Sequence, residues 1–355
     1  MAPYVVLILL PIVFGLIYVY YNKKNNTKDR FKRLLIFFMW LALFCMIAFR
    51  SKFVGSADSS HYYDYWIHLS QTSWVRIPEY IDATGMEALF CYTVWILARI
   101  FSFPQWIFVL TGLLFSLSVC HFIYKHSEDM ILSFVMYVTL GLYTFMIQGM
   151  RQAIAMSIIL FAIDLCLQKK FIRFVLLVLL AAAFHKSAII FLPMFFVYGL
   201  KIKKSTVCMF LAGAGAIIAY SPQIIDLGNQ LFDREYSQTF ETGGFIAVTI
   251  YVLILLAALL LGFKQYNDKK FSFFFYMTFI GSVFYIMRYI GVDVTERISY
   301  YFMFGQLLLL PSTLNVLITK ERWLCKGVVY ILCICLFLYR INGSNLVPFE
   351  FFWQA

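Results

Sequence analysis

Long apolar stretches alternate with short polar segments along the whole chain. Most of these stretches are about 15 to 20 residues long, which is the length that a helix needs to cross a hydrocarbon core about 30 Å thick. The pattern predicts an all-α polytopic membrane protein with about 12 transmembrane helices. The predicted spans are 3–21, 34–49, 105–123, 130–147, 152–168, 171–184, 187–200, 205–221, 245–263, 271–290, 298–317 and 326–341.

One more apolar stretch, 87–103, is predicted not to cross the membrane. It carries Glu87 and Arg99, and a charged side chain inside the hydrocarbon region raises the free energy. A short helix with such charges lies more favourably in the interface. The stretch is therefore predicted to be an interfacial helix at the outer surface.

The polar gaps between the spans predict the domain organisation. None of them is long enough for a separate soluble domain, so 1–355 is predicted to be a single integral membrane domain. Within it, 50–104 is predicted to be an outer loop that contains the interfacial helix. A second outer loop is predicted at 222–244.

Composition supports the membrane assignment and excludes nucleic acid as a partner. The chain is 63% hydrophobic and 13% charged, whereas soluble domains are about 25% charged. The net charge of +11 is divided among short basic clusters between the spans, which is the positive-inside pattern of a protein in contact with membrane lipids. The eight cysteines lack the spacing of a zinc site, so no metal cluster is predicted.

The basic clusters also predict which side each polar segment faces. An even number of spans must separate the first two clusters, so one of the five apolar stretches between them cannot cross the membrane, and the charges of 87–103 favour that stretch. Both termini and all the candidate residues below then lie outside, so the function is predicted to be extracytoplasmic. The clusters, all predicted to be cytoplasmic, lie at 23–33, 169–173, 201–204, 264–270 and 320–326.

The first candidate site interrupts two apolar stretches at Gly149-Met150-Arg151-Gln152. Arg151 opens the helix that follows, where its guanidinium group suits phosphate oxygens and the helix N-terminus adds amide donors. Arg151 is therefore a candidate anion-binding residue, with Gln152 as a candidate substrate contact. The alternative is an interfacial arginine that reaches lipid headgroups.

The second candidate site, His185-Lys186-Ser187, lies between two short spans. His185 is a candidate general base, because an imidazole exchanges protons near neutral pH. Lys186 is a candidate phosphate contact. The alternative is that His185 hydrogen-bonds between helices while Lys186 binds lipid headgroups.

The third candidate site surrounds a predicted outer turn and contains Arg288, Glu296, Arg297 and Tyr300. Glu296 and Arg297 are adjacent, so on a helix they point to different sides and need not pair. The two arginines are candidate phosphate contacts, and Glu296 and Tyr300 are candidate substrate contacts. The alternative is that the charges neutralise one another.

The most polar segment is the predicted loop 50–68. Asp58 follows a glycine and two small residues, which lets the backbone turn tightly and present the carboxylate. Such an aspartate can accept a proton from a hydroxyl group or ligate a divalent cation. Arg50, His61 and Tyr62 are candidate sugar contacts, and the alternative for the aromatic residues is an ordinary interfacial belt.

Four motifs occur in a fixed order along the chain. They are Arg50-(x)4-Gly55-x-x-Asp58-(x)3-Tyr62, Gly149-Met150-Arg151-Gln152-Ala153-Ile154-Ala155, Ala183-Phe184-His185-Lys186-Ser187-Ala188 and Glu296-Arg297-Ile298-Ser299-Tyr300-Tyr301. In this order they resemble the EpsG/Wzy-like family of bacterial polysaccharide polymerases. The first motif departs from the family's Gly-Thr-Asp pattern, because one extra residue precedes Asp58.

The resemblance implies a fold similar to the C-type glycosyltransferases. It also implies that oligosaccharide repeat units linked to undecaprenyl pyrophosphate are joined at the outer leaflet of the bacterial cytoplasmic (inner) membrane. The products would be O-antigen, capsule or exopolysaccharide, and a chain-length regulator is an expected partner. No cofactor is expected other than a divalent cation.

With this function, each candidate residue has an expected role. Arg151 and Arg297, with Arg288 or Lys186, would face the departing pyrophosphate, because fixed cations stabilise the charge that develops there. Asp58 would be the base, with His185 as the second choice. Three alternatives remain open: a flippase or transporter of lipid-linked oligosaccharides, an O-antigen ligase, and a non-catalytic scaffold.

Overall fold

The computed structural model describes residues 1–22, 28–55, 57–223, 245–288 and 294–354. Within these ranges the regular elements are helical, apart from one isolated antiparallel bridge between Arg50 and Phe351. This confirms the predicted all-α class. The first ten helices are α1 (Ala2–Asn22), α2 (Lys28–Ala48), α3 (Ala57–Gln71), α4 (Ile77–Thr84), α5 (Ala88–Ile100), α6 (Trp106–His126), α7 (Met130–Thr139), α8 (Leu142–Gln148), α9 (Met150–Leu167) and α10 (Phe171–Phe184).

The remaining helices of the described ranges follow a 3₁₀ segment, Lys186–Phe191. They are α11 (Met194–Val197), α12 (Lys204–Ala219), α13 (Phe245–Leu261), α14 (Lys269–Met287), α15 (Val294–Met303), α16 (Gln306–Asn315) and α17 (Thr319–Ile341).

Five of these helices, α2, α6, α9, α14 and α17, are long and apolar enough to cross a membrane. The pair α7 and α8 would make a sixth span, bent by 51° at the break between them. All six coincide with predicted spans, and the protein is a multi-pass membrane protein. Five other predicted spans coincide with shorter apolar helical segments, so the number of about 12 spans stays a prediction.

Besides 130–147, which is divided between α7 and α8, two more predicted spans are not single helices. The stretch 187–200 contains a 3₁₀ segment and the short α11, because Pro193 has no N–H for a continuous helix. The stretch 298–317 is divided between α15 and α16. At this break the amide of Gly305 donates to the carbonyl of Phe302 at 3.0 Å, which is the tighter 3₁₀ type of hydrogen bond.

The segment 50–104, predicted as a loop with one helix, contains three α-helices, α3, α4 and α5. Helix α3 buries one face, formed by Ser59, Tyr62, Trp66 and Leu69, and this spacing of three and four residues is that of an amphipathic helix. The helical spacing of these residues was not recognised in the sequence, because polar residues occupy the opposite face and make the segment resemble a loop. Of the predicted second loop, 222–244, all but the first two residues lie outside the described ranges.

By their internal contacts, the residues form two compact units. The first unit comprises 1–165, 170–189 and 328–355, and the second comprises 166–169 and 190–327. In the second unit α14 packs against α15, and α13 packs against α14 and α16.

The break between α7 and α8 in the first unit requires a glycine. Gly141 has a φ of +93°, and a Cβ there would lie 2.5 Å from Nη1 of Arg340. The same Nη1 donates to the carbonyl of Leu140 at 2.9 Å. The arginine thereby satisfies an acceptor that the interrupted helix leaves without an intrahelical donor.

The two termini of the chain lie at the same end of the first unit. The amide of Ser51 donates to the carbonyl of Glu350 at 2.8 Å, and that of Phe352 donates to Phe49 at 2.9 Å. The ring of Tyr4 packs edge-on against Phe349. These contacts agree with the predicted topology, in which the termini and the end of α2 face the same side.

Candidate functional site

A buried glutamate, Glu87, lies where α5 meets α9 and α10 in the first unit. It is only 4% exposed and occupies the N-cap position of α5 in an extended conformation, with φ −66° and ψ 129°. Its side chain makes no capping bond to its own helix. The carboxylate is therefore available to groups of other helices.

Two of the sequence-predicted motifs converge on this carboxylate. Nη1 of Arg151 lies 2.6 Å from Oε2 of Glu87, and Nδ1 of His185 lies 3.1 Å from Oε1. The backbone amide of Lys186 also donates to Oε1, at 3.4 Å. One carboxylate thus binds a guanidinium, an imidazole and a main-chain amide.

His185 reaches the carboxylate because α10 ends at this residue. It is the C-cap of α10 and has an extended backbone, with φ −156° and ψ 109°. Its amide still donates to Ala181 at 2.9 Å, and its carbonyl accepts from Ala188 at 3.0 Å. The side chain is therefore held between a helix and a 3₁₀ turn.

Arg151 lies in the first turn of α9, directly after the chain leaves α8 through Gly149. Its side chain is 21% exposed, and its Nε is buried without a hydrogen-bond partner in the described part of the chain. Its backbone amide donates to the hydroxyl of Tyr62 at 3.4 Å. The guanidinium group therefore keeps donor capacity beyond the bond to Glu87.

The electrostatic balance of this site is favourable for an anion. Burial by itself would raise the pKa of the Glu87 carboxyl, but the hydrogen bond from His185 and the charge of Arg151 lower it to about 2. The carboxylate is ionised and neutralises Arg151, while Lys186, whose backbone amide binds the same carboxylate, is an exposed residue. The charge of Lys186 is left over for a ligand.

The other substrate contacts predicted in the first unit have different environments. Tyr62 is buried on α3 and touches α9 through the bond to Arg151. His61 is exposed on the same helix, 6.3 Å between ring centroids from Tyr65. Gln152 is buried in α9. Asp58 falls in the first turn of α3, and its side chain lies outside the described part of the structure.

Arg50 has a structural environment, which differs from its predicted role as a sugar contact. It is 0% exposed and donates to Ser59 Oγ at 2.9 Å and to the carbonyl of Ile147 at 3.0 Å. The guanidinium also lies 4.1 Å from the ring centroid of Phe108. Because the side chain is fully buried and its Nη atoms bind groups of the protein, it is out of reach of a ligand.

The third candidate site forms a cluster in the second unit. Nη1 of Arg288 lies 2.5 Å from Oε2 of Glu296, and the hydroxyl of Tyr300 donates to Oε1 at 2.9 Å. Arg297 is exposed on the neighbouring position of α15. The expected separation of Glu296 and Arg297 on the helix agrees with this arrangement, and Arg288 is neutralised by Glu296.

A further charged cluster lies at the opposite end of α9 from Arg151. Asp164 accepts from His121 at 2.7 Å, from Lys125 at 2.7 Å and from His126 at 2.5 Å. His126 and Asp164 are buried, whereas His121 and Lys125 are about 40% exposed. The predicted topology places this cluster at the cytoplasmic end of α6 and α9.

The sequence identified Arg151 and His185 but missed their common partner. Glu87 served only as evidence that 87–103 does not cross the membrane. A buried carboxylate needs cations or amide donors, and the predicted topology already placed Arg151 and His185 on the same side. Those two facts together were the signal that could have identified it.

The arrangement around Glu87 provides two chemical capacities. Lys186 supplies positive charge for phosphate oxygens, and Arg151, whose charge Glu87 neutralises, supplies further guanidinium N–H donors. His185, bound through Nδ1, has a second ring nitrogen that can exchange a proton. Among the residues that the structure describes, no group of three His, Cys, Asp or Glu side chains is arranged to hold a metal ion.

Comparison with known proteins identifies one similarity. The model of the EpsG family matches residues 33–351, which is nearly the whole chain. No curated protein and no solved structure matches the chain.

Proposed function

The chain belongs to the EpsG family, and on this premise we propose that it is a membrane glycosyltransferase of the polysaccharide-polymerase type. Its donor is an oligosaccharide repeat unit on undecaprenyl pyrophosphate, and its acceptor is a hydroxyl group of a second lipid-linked unit. The reaction takes place at the outer leaflet of the cytoplasmic membrane, in a fold of the C-type glycosyltransferase kind with about twelve spans. A chain-length regulator is the proposed protein partner.

One observation carries this proposal: Arg151 and His185 bind opposite oxygens of Glu87. Glycosyl transfer from a lipid pyrophosphate needs a cation for the leaving group and a base for the attacking hydroxyl. The two residues belong to different motifs, yet the fold places them one side chain apart. Lipid headgroups alone would not require a histidine beside the arginine.

In the proposed reaction, Nε2 of His185 takes the proton of the acceptor hydroxyl as its oxygen attacks the anomeric carbon. The bond between that carbon and the pyrophosphate oxygen breaks, and its electron pair leaves with undecaprenyl pyrophosphate. The leaving group gains negative charge, which Arg151 and Lys186 stabilise more strongly in the transition state than in the ground state.

Several predicted roles remain part of the proposal. Asp58 is an alternative base or a ligand of a divalent cation, and Asp58→Asn with full polymer length would remove it from both roles. Arg288 and Arg297 are proposed phosphate contacts. Glu296 and Tyr300 are proposed substrate contacts.

The test is Arg151→Ala in a strain that lacks the chromosomal copy, with glycan ladders analysed on a gel. We expect the ladder to collapse to single repeat units at normal protein levels, because loss of one transition-state contact costs about 3 kcal/mol, or roughly 10²-fold in rate. Arg173→Ala is the matched control, since Arg173 is an exposed arginine in a predicted cytoplasmic cluster. A wild-type ladder from Arg151→Ala would refute the assignment.

Purified protein with lipid-linked repeat units distinguishes the related functions. Longer chains on the lipid indicate a polymerase, and transfer to a different lipid acceptor indicates a ligase. Movement of the substrate across vesicles without a new bond indicates a flippase or transporter.

A further inference from the structure

We propose that Glu87 is the positioning residue of the reaction, which sets the tautomer of His185 and orients Arg151 at the same time. The carboxylate contacts each of them through a separate oxygen, at 3.1 Å and 2.6 Å. The kinetic part of this inference rests on the proposed glycosyl transfer. The part that concerns the histidine tautomer does not.

The geometry determines which nitrogen of His185 carries the proton. An ionised carboxylate only accepts hydrogen bonds, so Nδ1, which faces Oε1 of Glu87, must be the donor. In a neutral imidazole the other nitrogen, Nε2, then has an unprotonated lone pair. This is the tautomer that can take a proton from an acceptor hydroxyl.

The same carboxylate stabilises the product of that proton transfer. When Nε2 has taken up a proton, His185 is an imidazolium cation with Nδ1 still bound to Oε1. The bond between Nδ1 and Oε1 then joins two ionised groups, and such charge-assisted hydrogen bonds are stronger than neutral ones. Glu87 therefore contributes to the transition state without contacting the substrate.

A competing interpretation is that Glu87 only joins α5 to its neighbours. The structure offers two other groups that join α5 to α3: Arg99 and the indole of Trp95 both donate to the carbonyl of Thr72, at 2.6 Å and 2.8 Å. Helix α5 is therefore held at its far end without Glu87. A capping role is excluded as well, because the Glu87 side chain makes no bond to its own helix.

Glu87→Gln separates the two interpretations. A glutamine has the same shape, but its amide has one acceptor oxygen and one donor nitrogen. The oxygen is expected to face the charged Arg151, since bonds with an ionised partner are the stronger ones. The NH₂ group then faces Nδ1, which favours the tautomer with its proton on Nε2 and removes the base.

The first measurement is ¹⁵N NMR of histidine-labelled protein, which has only five histidines. The His185 signal is assigned with His185→Gln. In the wild type we expect Nδ1 to be protonated and Nε2 unprotonated, and in Glu87→Gln we expect the reverse. Glu79→Gln, an exposed glutamate on α4, is the control and should leave the spectrum unchanged.

The second measurement is steady-state polymerisation of lipid-linked repeat units in vesicles. For Glu87→Gln we expect kcat to fall about 10²-fold or more with KM within a few-fold of the wild type, because Arg151 and Lys186 remain. Glu87→Asp, which keeps two acceptor oxygens, should recover part of kcat. In a His185→Ala background, Glu87→Gln should cause no further loss of kcat, since the two residues act as one unit.

The outcomes of these experiments distinguish the two proposals. If His185 has the same tautomer in the wild type and in Glu87→Gln, or if the losses of Glu87→Gln and His185→Ala multiply, the positioning role of Glu87 is wrong. If the wild-type protein does not lengthen the glycan while the NMR result is as expected, the proposed polymerase function fails and the role of Glu87 in ordering His185 stands.

Discussion

Nη2 of Arg50 donates a hydrogen bond of 3.0 Å to the carbonyl of Ile147, which lies 97 positions further along the chain. Ile147 belongs to the last turn of α8, just before the Gly149-Met150 step into α9. The bond therefore ties the end of α2 to the point where Arg151 enters its helix. Arg50, which the sequence suggests to be a ligand contact, is a buried residue that connects these two segments.

Arg50→Lys should destabilise the protein by about 1.5 to 3 kcal/mol, because hydrogen bonds to charged groups contribute about that much each. The ammonium group keeps the charge but cannot reach Ser59 and Ile147 together. The measurement is thermal unfolding in detergent. Arg173→Lys, at an exposed position, should leave the unfolding temperature unchanged.

A polymerisation assay at low temperature tests the alternative that Arg50 contacts the sugar. If the side chain contributes only to stability, the folded fraction of Arg50→Lys should retain the wild-type KM. A large increase in KM with wild-type stability would restore the predicted sugar contact.

Glu87 should make the free energy of unfolding depend on pH within a defined range. Its pKa is lowered from 4.5 to about 2, so folding favours the ionised form. The resulting stabilisation is fully present above about pH 4.5 and is lost as the pH falls toward about 2. We expect the wild type to be more stable than Glu87→Gln from pH 7 to 5, with the difference shrinking below pH 4.5.

Unfolding temperatures of the two proteins at a series of pH values measure this difference. Glu79→Gln is again the matched control, because Glu79 is exposed. No difference at pH 7, or a difference that disappears between pH 7 and 5, would contradict the assignment.

The contribution of the Asp164 cluster to the free energy of unfolding should come mainly from its buried histidine, His126. Asp164→Asn and His126→Ala should each cost about 1 to 3 kcal/mol, since each disrupts the charge-assisted bond between the two buried side chains. Lys125→Ala should cost less than about 1 kcal/mol, because the exposed pair is screened by water. Chemical unfolding of the three variants tests the ranking, and equal losses would show that exposure does not decide it.

The two ends of the first unit should be accessible from opposite sides of the membrane. Asn345 lies beside Gly55, whose amide donates to its carbonyl at 2.9 Å, whereas Glu128 follows α6 at the other end. In a background without the native cysteines, Asn345→Cys should react with a membrane-impermeant thiol reagent on intact cells. Glu128→Cys should react only after permeabilisation, and the opposite result would invert the predicted topology.

Hydropathy was sufficient to predict the long helices. Helices α2, α6, α9, α14 and α17 coincide with predicted spans, because a backbone in lipid must satisfy its own hydrogen bonds within each segment. Hydropathy failed for α3 and α4. Their polar faces lower the average hydrophobicity, so these helical segments resemble loops in a hydropathy profile.

The breaks in helices were predictable only in part. Pro193 ends a helix for a local chemical reason, and its effect could be inferred from the sequence. The position of Gly305 could not, since a Cβ there would lie 2.8 Å from Oγ1 of Thr278 on another helix. Such a requirement depends on packing that no short stretch of sequence encodes.

The sequence by itself determined the membrane class, the main helices and the identity of Arg151 and His185 as polar interruptions. These properties follow from local hydrophobicity and local charge. Only the tertiary structure decided that Glu87 binds both residues and that Arg50 is buried. Glu87 is 64 positions from Arg151 and 98 from His185, and contacts over such separations depend on how the helices pack.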